Sequence, residues 1–112
     1  LTIHGHQLGA KAWISHVPNF FPQHSWKVHE LMTAGKYDEA NKVLDDFDND
    51  YSQILADIGS RTAGEGVFVK PFMEYMGRPS GPSRLPSVDS VVTDEIKQRI
   101  KKLMDRAPSI IQ

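Results

Sequence analysis

Five histidines, one lysine inside an apolar run and a knot of aspartates are the residues whose types invite chemistry. His4 and His6 lie two apart in a predicted helix, and His24 and His29 five apart, so neither pair has the i, i+4 spacing of a helical zinc pair. They read as surface or packing histidines, and no metal is expected. His16 differs because it directly follows a short apolar run, A-W-I-S, that reads as a buried strand. The C-terminal end of such a strand is where an α/β barrel places its active-site side chains, so a substrate-facing role and a packing role both stand open for His16. Lys70, in V-F-V-K-P-F, is either a desolvated amine suited to Schiff-base chemistry or a side chain that packs its stem and extends its head to water; the second reading is preferred. Asp45, Asp46, Asp48 and Asp50 lack the ligand order, central glycine and distal glutamate of an EF-hand, and read as a solvated helix face.

No glycine-rich phosphate loop, no G-x-S-x-G turn and no carboxylate pair beside a base is present. The absence of cysteine removes disulfides, thiolate nucleophiles and cysteine-rich zinc sites together. Taken alone, the residues show no complete catalytic set and call for no cofactor. The balance of 13 Lys+Arg against 14 Asp+Glu gives no long-range field toward nucleic acid or an anionic membrane. No apolar run approaches the ~20 residues that span a bilayer. A soluble chain in the cytosol, bound to neither nucleic acid nor membrane, is the expectation.

The elements that must position these residues follow from periodicity and punctuation. LTIHGHQL, before Gly9, reads as the last turns of a helix, and A-W-I-S, residues 12 to 15, as one buried strand. A helix of about three turns is predicted from Pro22, with Trp26, Val28, His29, Leu31 and Met32 on one face, until Ala34-Gly35 stops it. The next helix has the clearest pattern: Tyr37, Ala40, Val43, Leu44, Phe47, Tyr51, Ile54, Leu55 and Ile58 recur at three- and four-residue steps. RTAGEG is a connector, VFVKPFMEYMG a short helix ending at Gly77, and RPSGPSRLPS an irregular, proline-stiffened crossing. Thr93 is the expected N-cap of a closing helix carrying Ile96, Ile100 and Leu103.

A single strand cannot satisfy its own backbone groups, so its sheet partners are expected elsewhere. The chain of 112 residues opens on Leu1 with no signal-type segment, and the expectation is a processed or trimmed chain, the end of an α/β protein rather than a whole one.

The order LGAKAWIS, PN, P, AGKYDEANKVL, VFVKPFMEYMG and GPSRLPS resembles the C-terminal portion of the dihydrodipicolinate synthase and N-acetylneuraminate lyase family, over about Gly5 to Arg106. Members of that family are (β/α)8 barrels with added C-terminal helices, and a lysine on the sixth strand forms a Schiff base with pyruvate or a 2-keto acid. The resemblance therefore implies an α/β fold: the C-terminal portion of a TIM barrel, mostly helical in this chain. Residues 1 to 35 would end the barrel, with AWIS as its eighth strand, and residues 36 to 112 would form the helical extension. Ile14 would turn its carbonyl to the keto-acid site, His16 would lie near the distal part of the substrate, and Asn19 would fix the loop, although on its own type Asn19 reads equally as a turn residue bonding its own backbone. Lys70 matches a lysine of the helical region and not the imine-forming one, which lies outside this chain. Implied partners are a 2-keto acid, the rest of the barrel and further copies in a homo-oligomer, commonly a tetramer. HVPNFFP is more aromatic than in dihydrodipicolinate synthases, which points to larger or sugar-derived 2-keto acids, a dehydratase, or an aldolase acting on an aromatic aldehyde. The competing expectation is a non-catalytic helical module that pairs or oligomerises through the Tyr37 to Ile58 face.

Overall fold

The computed structural model describes residues 2 to 112. Five helices run in chain order: α1 (Thr2–Gln7), α2 (Pro22–Thr33), α3 (Tyr37–Gly59), α4 (Gly66–Tyr75) and α5 (Asp94–Ile110), with 3-10 turns at Val17–Asn19 and Asp89–Val91. Their ends lie where the punctuation residues put them. Gly35 closes α2 at φ +73°, a conformation that costs an L side chain, and two bonds accompany it: Lys36 N–H to Leu31 O at 2.8 Å and Gly35 N–H to Met32 O at 3.0 Å. Gly9 and Gly77 end α1 and α4 with the same bond pattern. Thr93 caps α5 by accepting the Ile96 N–H at 3.4 Å, and Asp94 and Glu95 place negative charge at its positive end.

Two cores result. The larger gathers Phe47, Tyr51, Ile54 and Ile58 of α3, Val67 and Phe72 of α4, and Ile96, Ile100, Leu103 and Met104 of α5 around Phe20 and Phe21. Phe20 stacks on Phe72 at a ring separation of 4.6 Å while Tyr51 meets Phe72 edge-on at 5.3 Å. The smaller core joins Ile3 of α1, Val28, Leu31 and Met32 of α2, and Ala40 and Val43 of α3. Ile110 and Ile111, at the end of α5, pack against both. The cores cross the boundary drawn at residue 35, since α2 and α3 are antiparallel neighbours joined by a tight turn.

The expected α/β architecture is overturned. The described residues contain no strand, and the chain is an all-helical domain rather than the last portion of a TIM barrel. Residues 10 to 15 have no regular secondary structure. The reason is the one that made a lone strand awkward: a strand exists only against a ladder partner, and no other described segment offers one. The apolar character of A-W-I-S is not a sign of burial on two faces either. Ile14 is 100% exposed, and Trp13 tucks sideways against His29 with ring centroids 6.1 Å apart. No helix among the described residues is long and apolar enough to cross a membrane.

Candidate functional site

The loop between α1 and α2 carries the three residues singled out for substrate contact. The Schellman-type end of α1 releases the chain at Ala10, and from Lys11 to Ser15 no main-chain group pairs with another main-chain group among the described residues. The Ile14 carbonyl thus has no hydrogen-bond partner among the described residues, and Ile14 lines a cleft with Thr2, Gly5 and His6. The loop then tightens. Ser15 Oγ accepts the Val17 N–H at 3.2 Å, and the His16 carbonyl accepts both the main-chain N–H of Asn19 at 3.1 Å and its side-chain amide at 2.9 Å. Asn19 thus closes a turn on the His16 carbonyl. His16 itself is half-buried, with Nε2 3.6 Å from Glu65 Oε2 at the start of α4. His16 and Asn19 are brought together, while fully exposed Ile14 packs with neither.

Lys70 lies on α4, with its amine bonded to the chain rather than extended to water. Its Nζ donates to the Pro82 carbonyl at 2.7 Å across a cleft of about 430 Å3 that Pro71, Glu74, Pro79 and Asp89 also line. Asp89 is held below the usual carboxylate range, first by Ser83, whose N–H donates to Oδ2 at 2.8 Å, and then by attraction to Lys70. An amine engaged by a carbonyl and near a carboxylate clamps the proline-rich segment.

Two residues were passed over as ordinary. His24 is 2% exposed and lies between α2 and α3, where Nε2 must donate to the Val43 carbonyl at 3.0 Å because a carbonyl only accepts. Burial pushes its value below that of a free imidazole, with the Val43 bond and the charge of Asp48 opposing. Asp48, assigned to the solvated acidic face, is instead half-buried beside it, and burial pushes its carboxyl up against the attraction of His24. Together with Thr2, Ser15 and Ser25 they line a small cavity of about 60 Å3 under the loop. The available signal was His24 standing four residues before Val28 and seven before Leu31, on the apolar stripe of α2. The other acids of that cluster behave as expected of a solvated face: Asp46 pairs with Lys42 at 3.0 Å and Asp50 with Arg106 at 2.8 Å.

His6 bonds the Tyr37 hydroxyl through Nδ1 at 3.1 Å, and His29 lies between Trp13 and Trp26 on an open apolar groove of about 720 Å3. Among the described residues no three histidines, aspartates or glutamates gather as a metal site would require. Comparison with known protein families, with curated proteins and with solved structures returns no match to this chain.

Proposed function

We propose that these residues contribute the substrate-side loop and supporting helices of a class I lyase or aldolase acting on pyruvate or another 2-keto acid, with the imine-forming lysine outside this chain. The reading concerns chemistry alone; the fold of these residues is helical. What carries it is the loop from Lys11 to Asn19: it is built and locked at His16, yet it leaves the Ile14 carbonyl free and the Ile14 side chain wholly uncovered. An unpaired carbonyl in such a loop is suited to hold a hydroxyl or water near a reacting carbon. The clamped amine of Lys70 supports the placement of the nucleophile elsewhere. Assembly from several copies and a cytosolic site of action belong to the same reading. Ile14, His16 and Asn19 would touch substrate or hold the loop that does, and no residue of this chain would form a covalent bond.

The alternative, a non-catalytic interaction module, was expected to use the Tyr37 to Ile58 face. That face is buried inside the chain, so such a module would have to use the groove between Trp13 and Trp26.

Borohydride reduction in the presence of pyruvate tests the enzyme reading. The polypeptide that supplies the lysine together with these residues should gain a stable pyruvyl adduct on that lysine, and no adduct should form on Lys70. A polypeptide that never traps pyruvate or any 2-keto acid, or an adduct mapped to Lys70, overturns it.

A further inference from the structure

The main chain between Ala10 and His16 is held at its two ends and free in between. At one end the Ala10 N–H donates to the Gly5 carbonyl at 3.0 Å, and at the other the His16 carbonyl accepts twice from Asn19, at 3.1 and 2.9 Å. From Lys11 to Ser15 no main-chain N–H or carbonyl has a hydrogen-bond partner among the described residues, and the chain passes through with neither turn nor bend. Two clefts border it: Lys11, Ala12 and Trp13 wall the groove shared with Trp26, and the same residues with Ile14 line the cleft against α1. Ile14 is wholly exposed. A straight, apolar, uncovered run of unpaired main-chain groups is what the edge of a sheet presents, and such an edge templates another strand.

The strand that fits this edge is a second copy of itself. In an antiparallel pair about a two-fold axis at Trp13, Lys11 lies opposite Ser15, Ala12 opposite Ile14, and Trp13 opposite its counterpart. Each exposed Ile14 then has a small apolar neighbour, the two indoles form an aromatic cross-strand pair, and no lysine faces a lysine. A net charge of −1 sets up little repulsion between copies. The phase of the ladder follows from the two ties. With Trp13 in a hydrogen-bonded pair, Lys11, Trp13 and Ser15 of both copies exchange N–H and carbonyl; the other phase engages only Ala12 and Ile14, because its next pair, Ala10 with His16, is already occupied. We propose that this segment is a self-association surface, through which two copies of the chain pair over residues 11 to 15 as an antiparallel two-stranded ladder. Two strands alone are marginal, but Trp13 packs against His29 of α2 and so seats the ladder on the helices. Ala12 and Ile14 turn their main-chain groups to the outer edge, so the Ile14 carbonyl stays free and the pairing neither needs nor excludes the keto-acid reading.

Sedimentation equilibrium on the 112-residue chain tests this. The mass should rise from one copy to two with a Kd on the order of 100 μM, since a ladder this short lies at the weak end of specific interfaces. Ile14→Lys, at a side chain that is fully exposed in the single copy, should weaken the pair by about tenfold and leave the far-ultraviolet circular dichroism unchanged. Amide hydrogen exchange gives a readout that unspecific adhesion would not: raising the concentration should slow Lys11, Trp13 and Ser15 while Ala12 and Ile14 exchange as before. A chain that stays monomeric up to about 1 mM, ten times that Kd, overturns the proposal, whatever other strand the segment accepts. Species larger than a dimer, a dimer unaffected by Ile14→Lys, or protection of Ala12 and Ile14 in place of the other three overturn it as well. Pyruvate trapping is read on the polypeptide that supplies the lysine, so it decides the lyase reading separately.

Discussion

His24 shows how a single side chain ties two helices. Its ring stacks near Phe21 and Phe47 while its one donor reaches the Val43 carbonyl, so the neutral imidazole fits and the imidazolium does not. Its folded value is depressed, mainly by burial. In the unfolded chain it takes up a proton near pH 6.5, before the folded chain does. The contribution is therefore complete above about pH 6.5 and is lost as pH falls from there toward the folded value. Asp48 acts in the opposite sense: its raised value means the folded chain holds that proton more tightly, so its term weakens as pH rises above about 3.9. Comparing urea midpoints of the wild type and His24→Gln from pH 7.5 to 5 isolates the histidine, because Asp48 is common to both. The wild type should lose stability relative to the variant as pH drops below 6.5; a gap independent of pH would show that His24 does not titrate in this way. The five-residue spacing of His24 to His29 excludes a helical zinc pair but says nothing of this; the signal is the apolar stripe of α2, on which His24 stands four residues before Val28.

At the scale of elements, the stops were legible and the single strand was not. Gly9, Gly35 and Gly77 each follow the last periodic residue of a helix, and each ends one, because a left-handed residue at that place satisfies two orphan carbonyls. Pro22 and Thr93 mark starts for equally local reasons. A strand has no such local cause: A-W-I-S reads as one from a short apolar, uncharged run between a glycine and a proline turn, and none of these supplies a partner. The glycine argument is testable without disturbing any packing. No atom lies within 4 Å of a Cβ built on Gly35, so Gly35→Ala meets only the backbone penalty of φ +73°. A loss of about 1 kcal/mol in chemical denaturation is expected. A neutral or stabilising result would mean that the α2–α3 turn relaxes out of the left-handed conformation.

For the molecule as a whole, the candidate site was legible only as a cluster of special residues in one loop. That Asn19 clamps His16 could be guessed from a turn residue near a proline; that Glu65, forty-nine positions later, would meet His16 could not, since it depends on how the proline-rich segment seats the connector. The same long-range dependence decides whether the chain unfolds as one unit. The two cores share α3, and among the described residues Ile110 and Ile111 at the end of α5 are the side chains that pack on both. Trp13 packs on the smaller core and Trp26 lies on α2, so tryptophan fluorescence reports that end of the molecule, whereas far-ultraviolet circular dichroism reports all the helices. In the wild type the two signals should fall together on denaturation, as a cooperative unit requires. Replacing Ile110 and Ile111 by alanine together removes partly buried aliphatic surface at the junction, for a cost of about 2 kcal/mol. It should also split the transitions, fluorescence changing first, because α1 and α2 are then held to the larger core only through α3 and the segment over residues 17 to 21. Coincident transitions in the double variant would mean that α3 and the segment over residues 17 to 21 suffice to couple the cores, and that the end of α5 is an appendage to a domain already complete without it.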